Sequence, residues 1–172
     1  MEITEAHGVP VQTLYIREGD AARPGIKRKI KYIVLHETGN SAKGADAARH
    51  AMYLRFNNED DTSWHYTVDE KEIYHHIPDG EVAWHASDGL DNPGGNRNGI
   101  GIELCVNSDG DFERTFDNAA RLVAVLLDAY DLKPDDIRQH ADFTNKNCPE
   151  TIRNNGRMEA FVTLVEQYRT SE

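Results

Sequence analysis

Apolar residues fall along this chain in short runs and periodic stretches whose spacing predicts alternating strands and helices. YIVLH at 32–36 is a continuous β-branched and aliphatic run, the pattern of a buried strand. The polar loop ETGNSAKG follows, and then ADAARHAMYLRFNN, where Ala48, Met52 and Phe56 recur at helical spacing. SWHYTVDE at 63–70 and EIYHHIP at 72–78 predict two strands joined by a tight turn at Asp69, Glu70 and Lys71. EVAWHASDG leads into a Gly/Asn-rich loop at 90–99, and GIGIELCVN at 99–107 predicts a further strand. TFDNAARLVAVLLDAYDL reads as a helix entered near Thr115 and Asp117, with Leu122, Val123, Leu126, Leu127 and Tyr130 on one wide apolar face. DIRQH at 136–140 is a short strand ending on a histidine. RMEAFVTLVEQYR is an amphipathic helix with Phe161, Leu164, Val165 and Tyr168 on one side. The first 25 residues, punctuated by Gly8, Pro10, Pro24 and Gly25, are expected to be irregular.

These elements predict an α/β protein: a single domain with a mixed central β-sheet flanked by helices. Both hairpin and crossover connections are needed, so the sheet is not expected to be purely parallel. A chain of 172 residues can bury a sufficient core without disulfide staples. No apolar run approaches the roughly 20 residues that span a bilayer, so no membrane insertion is expected. The N-terminal MEITEAHGVPVQTLYIREGD lacks the basic-then-apolar order of a secretory signal, which predicts synthesis in the cytoplasm. A net charge of −11 argues against nucleic acid, which a basic patch would serve. The one basic cluster, KRKIK at 27–31, precedes a strand and is expected to solvate its start.

Candidate chemistry sharpens this picture at two cysteines. Cys105 lies inside the apolar run GIGIELCV and reads as a core thiol. Cys148 stands in QHADFTNKNCPE, among Asn145, Lys146, Asn147 and Pro149, poor company for a core residue. His36 and His140 each close a short apolar strand ahead of a polar loop, where α/β sheets build their sites. Two histidines and a thiolate are donors of the type zinc prefers, and catalytic zinc keeps a fourth position for water. Spacing alone leaves two readings open, a His36–His140–Cys148 metal site or ordinary strand-end histidines. HETGN is not an HExxH motif, and the adjacent His75 and His76 point to opposite faces of a strand.

LHETGN near the start, AWHASDG followed by GGNRNGIGIELC, and HADFTNKNCPE near the end together resemble, in order, the zinc-dependent N-acetylmuramoyl-L-alanine amidases. This amidase-2 group includes phage endolysins, the phage T7 type of lysozyme and the peptidoglycan recognition proteins. The likeness is closest to endolysin catalytic domains from phages and prophages of Gram-positive bacilli, and it covers roughly residues 30–170.

The resemblance implies one Zn2+ per chain, held by His36, His140 and Cys148. Glu103 matches the carboxylate that serves as general base, and Lys146 the lysine that stabilises the oxyanion. Trp84 and His85, in AWHASDG, border the substrate groove in such enzymes, and Asn96 and Arg97 are placed to meet a peptide carboxylate. T7-type members carry a tyrosine where this chain has Trp64 before His65, so a tyrosine role is not carried over. The implied partner is bacterial peptidoglycan, its muramyl peptides cleaved between the lactyl group and L-alanine. A monomer is expected, reaching the wall after holin-type release. Residues 1–172 are expected to form one catalytic domain without a wall-binding module, either part of a longer endolysin or a prophage amidase working alone. Two rivals stand beside this reading. A non-catalytic peptidoglycan-binding module would have no use for Cys148, Glu103 and Lys146. A Cys148–His140 thiol hydrolase would leave His36 and Glu103 without roles and its thiol without an activating helix N-terminus.

Overall fold

The computed structural model describes residues 2–171. Seven strands form one mixed sheet: β1 (Glu5–Ala6), β2 (Val9–Thr13), β3 (Tyr32–Glu37), β4 (Tyr66–Val68), β5 (Ile73–His75), β6 (Gly99–Leu104) and β7 (Ile137–Gln139), in the order β1-β2-β5-β4-β6-β3-β7. β3 lies between β6 and β7 and runs parallel to both. β4 runs parallel to β6 and antiparallel to β5, which closes the tight turn expected at Asp69. Asp69 makes that turn by accepting from the Lys71 and Glu72 amides, while its other oxygen accepts from Ala47.

Among the described residues, five α-helices complete the fold: α1 (Ala47–Met52), running on as a π-helical turn over Tyr53–Asn57, the single turn α2 (Gly95–Asn98), α3 (Phe112–Ala129), α4 (Glu150–Asn154) and α5 (Met158–Thr170). Ile33 and Leu35 of β3 and Ile100, Ile102 and Leu104 of β6 pack against Leu122, Val123, Leu126 and Leu127 of α3 and Phe161 and Val165 of α5. Fully burying each such side chain contributes roughly 1.5–3 kcal/mol. A smaller core of Ile16, Leu54, Trp64, Ile77 and Ala83 lies under α1. None of the described helices is long and apolar enough to cross a membrane.

Four details differ from the sequence expectations. The N-terminal segment is irregular beyond Thr13, but before it β1 and β2 form a hairpin through His7 and Gly8, both at positive φ, and β2 then pairs with β5. Pro10 obscures that strand, yet it is exposed near the sheet edge, where a missing amide costs little. α3 begins at Phe112, because the Asp111 side chain caps it by accepting from the Arg114 amide. α1 buries Ala47, Ala51 and then Leu54, leaving Met52 and Phe56 about half exposed, at 51% and 52%. Within KRKIK, Lys27 and Lys29 are exposed as expected, but Arg28 turns inward as a clamp. Arg28 donates to the carbonyls of Gly99 (2.7 Å) and Asp79 (2.8 Å), and Lys27 pairs with Glu81 at 2.9 Å.

Asp79 ties the end of α3 to the sheet. Its buried Oδ2 accepts from Tyr66 (3.1 Å) and from Tyr130 (2.6 Å), and its Oδ1 lies 3.1 Å from His75 Nε2. Burial alone would raise this carboxyl's pKa, but His75 and the two tyrosine hydroxyls outweigh it and hold the group below its ordinary value. A depressed folded pKa contributes stability above the unfolded carboxyl's value of about 3.9, lost as pH falls through the folded one. Asp79→Asn is therefore expected to destabilise the protein by about 1–3 kcal/mol at neutral pH. In urea titrations the difference from the parent should shrink once the pH drops below about 4; a pH-independent difference would remove the ionic part of this account.

Candidate active site

The parallel register sets the site. Cα of His36 pairs with Glu103 on β6, and Leu35 pairs with Gln139, so His140 emerges from β7 beside His36. The loop after His140 turns back on itself: the Ala141 amide donates to the Cys148 carbonyl at 3.1 Å and the Cys148 amide to the Lys146 carbonyl at 2.9 Å. His36 Nδ1 stands 3.1 Å from His140 Nδ1 and 3.8 Å from Cys148 Sγ, and the three donor atoms lie within 4.8 Å of one another. All three residues are buried. A tetrahedral ion with bonds of about 2.0–2.3 Å keeps its donors about 3.3–3.6 Å apart. The spacing and the nitrogen–nitrogen–sulfur chemistry fit one such ion. Burial pushes both imidazoles below their ordinary pKa, toward the neutral form a ligand needs.

Glu103 Oε1 lies 4.0 Å from His36 Nδ1, and Oε2 is buried without a partner among the described residues. Burial pushes this carboxyl up to about 7, against the opposing charge of Lys146, which suits a group that takes and returns a proton near neutrality. Lys146 is exposed, and it lines the same cleft as Glu103, a space of ≈ 570 Å³. Lys43, Arg49, His50, Tyr53 and Trp64 also line it. The Trp64 indole donates to Thr67 Oγ1 at 2.7 Å, which is itself 2.7 Å from His76 Nε2. Thr67 is the cross-strand neighbour of Glu103.

The four residues expected at the substrate do not line this cleft. His85 is buried and points at the His36–His140–Cys148 cluster, with its Nδ1 2.9 Å from His36 Nε2 and its Nε2 3.1 Å from the Gly99 carbonyl. Burial, then the charge of Arg28, pushes its pKa down to about 3, so the ring is neutral at neutral pH. Asn96 is also buried, its Oδ1 accepting from the amides of His85 (2.7 Å) and Ala86 (2.6 Å). The Trp84 indole donates to the Ala21 carbonyl at 3.2 Å, and half-buried Arg97 sits on α2. Lys43 and Arg49 carry no sequence signal that separates them from a solvated helix start. Gly101 does: a glycine between Ile100 and Ile102 marks a strand that something approaches closely. A Cβ there would come 2.7 Å from His85 Cγ.

Glu37 also has a role its sequence setting does not announce. Its buried carboxylate accepts from the Thr151 amide (Oε2 at 2.5 Å), at the start of α4 and three residues past Cys148. Cys148 thus stands just ahead of a helix, contrary to the expectation of an irregular loop, but Glu37 occupies that helix end. Burial, then Glu103, pushes the thiol up to about 12.

Residues 26–151 match the N-acetylmuramoyl-L-alanine amidase family. XlyA of Bacillus subtilis (strain 168), an N-acetylmuramoyl-L-alanine amidase, is 44% identical over 138 residues, covering 80% of this chain and 46% of XlyA. CwlH of the same strain is 40% identical over 144 residues, covering 84% of this chain and 57% of CwlH. The chain thus spans about half the length of the curated relatives it matches. The solved catalytic domain of XlyA superposes with a TM-score of 0.86 at 39% identity, over 91% of this chain and 99% of that one. PlyL superposes with a TM-score of 0.82 at 28% identity, over 91% and 97%.

Because Glu37 anchors the segment that carries Cys148, Glu37→Ala should loosen it. In metal-free protein the Cys148 thiol is expected to react severalfold faster with a disulfide reagent, while Cys105 stays protected. Rates by mass spectrometry equal to those of the parent would show that the loop holds its place without Glu37.

Proposed function

Since this chain belongs to the N-acetylmuramoyl-L-alanine amidase family, we propose that it is a peptidoglycan hydrolase. Its substrate is the amide joining the lactyl group of N-acetylmuramic acid to L-alanine of the stem peptide. The observation that carries this reading is the convergence of His36, His140 and Cys148 beside Glu103 at a cleft that Lys146 also lines. His36 Nδ1, His140 Nδ1 and Cys148 Sγ would hold zinc. When bound, zinc would supply a Lewis acid for the scissile carbonyl and acidify water in its open position. Glu103 takes a proton from the attacking water as the new carbon–oxygen bond forms. Lys146 offsets the negative charge that develops on the carbonyl oxygen. When the carbon–nitrogen bond breaks, Glu103 returns the proton to the alanine amine, leaving a free lactyl carboxylate. Cys148 acts as a ligand: a thiol that high in pKa, beside a helix end already taken by Glu37, makes a poor nucleophile.

The stem peptide would lie along the cleft between α1 and the Lys146 loop. Lys43 and Arg49, both exposed there, supply the positive charge for its carboxylates that was expected from Arg97. Trp64 supplies an apolar wall, fixed by its bond to Thr67.

Mass spectrometry of a peptidoglycan digest tests the reaction. Free stem peptides beginning at L-alanine should appear, vanish with a chelator and return with zinc; intact muropeptides throughout would favour a binding module. Glu103→Gln is expected to lower kcat by about 10²–10⁴-fold and Lys146→Ala by about 10²–10³-fold, each with zinc retained. Replacing Lys43 and Arg49 together by serine should raise KM for acidic stem peptides with kcat nearly unchanged. An unchanged KM would move the carboxylate contact elsewhere.

A further inference from the structure

The two histidine ligands are supported unequally, and the difference lies in a chain of hydrogen bonds that ends at His36. The Gly99 carbonyl already accepts from Arg28 at 2.7 Å, and His85 Nε2 lies 3.1 Å from the same oxygen. A carbonyl can only accept, so His85 must carry its hydrogen on Nε2. In the neutral ring this leaves a lone pair on Nδ1, 2.9 Å from His36 Nε2. His36 must then carry its own hydrogen on Nε2, which leaves Nδ1 bare. That bare nitrogen is the atom turned toward His140 and Cys148. His140 has only a weaker support: the Ala86 carbonyl lies near its ring, and its buried Nε2 completes no well-formed hydrogen bond among the described residues.

The surroundings hold His85 on both sides. Its amide is fixed by Asn96 Oδ1, and its ring rests on the bare Cα of Gly101. Gly101 cannot withdraw to make room for a side chain. Its amide donates to His65 Nδ1 at 3.0 Å, and its carbonyl accepts from the His65 amide at 3.0 Å. Ligand histidines usually hydrogen-bond a carboxylate, a carbonyl or water on their far side, and a carboxylate there makes the ligand more basic. A neutral imidazole in that place orients the ring without adding negative charge. With a metal bound, Cys148 would supply one thiolate donor, so an uncharged support would preserve the cation's Lewis acidity.

We infer that His85 is a positioning residue that dictates which nitrogen of His36 faces the metal position, with Gly101 as the bare surface it requires. This rests on the proposed ligand set, and the test separates the two. Nitrogen-15 NMR of the imidazoles in metal-free protein should show both His36 and His85 protonated at Nε2; His36 protonated at Nδ1 would overturn the inference whether or not the protein takes up zinc. Zinc affinity by chelator competition supplies the second readout. His85→Leu, which lacks an acceptor, should weaken zinc binding by about 10–100-fold. His85→Asn, which keeps an oxygen near the Nδ1 position, should stay within severalfold of the parent. Equal losses in both variants would reduce His85 to a packing role. A parent protein that takes up no zinc would instead sink the hydrolase reading, while the tautomers of the metal-free protein still decide the role of His85.

Discussion

The site depends on β3 running parallel to both neighbours in one fixed register. Pairing of His36 with Glu103, and of Leu35 with Gln139, brings two histidines and a carboxylate to the same end of the sheet. A slip of one residue would turn every side chain of a strand to the opposite face, and with it the whole set. The register is enforced from the other face, where Ile33, Leu35, Ile100, Ile102 and Leu104 fill the space under α3 and α5. Packing energy on one side of the sheet therefore fixes polar geometry on the other.

That polar side is unusual in being built largely from imidazoles. His36, His65, His76 and His85 are buried, and burial depresses each of them toward the neutral ring. A neutral imidazole both donates and accepts, so His85 can pass a hydrogen-bond direction from the Gly99 carbonyl to His36 without a buried charge. The cluster around Asp79 takes the other course, holding a buried carboxylate with tyrosine hydroxyls and His75. The first arrangement orients, whereas the second fastens α3 to the sheet.

Much of this was legible in the sequence, for reasons that can be stated residue by residue. YIVLH, GIGIELC and the two long amphipathic helices carry strong periodicity, and they became β3, β6, α3 and α5. The ligand candidates stood out because a cysteine among asparagines and a lysine has no packing rationale of its own. What the sequence concealed was direction. His85 lies in the motif expected at the groove, but its ring turns inward because Gly101 leaves room for it. Asn96 turns to the His85 and Ala86 amides. Helical spacing through Ala48, Met52 and Phe56 picked the exposed side of α1, since alanines at 47 and 51 give weak contrast. Arg28 looked like a solvated strand flank because charge in sequence says nothing of the carbonyls that fold around it.

Charge makes the same point on a larger scale. The chain as a whole carries −11, yet three of its cations, Lys43, Arg49 and Lys146, meet at one cleft. At physiological salt the field of an exposed charge fades over about 8 Å. The wall polymer of the proposed function, being rich in anionic groups, would therefore experience little attraction at a distance and some repulsion from the protein's other faces. Only a segment that has already entered the cleft would meet the three cations together with Glu103. On the proposed reading, recognition is a contact property: net charge disfavours loose association, and the local cluster rewards the one pose that would bring an amide to Glu103.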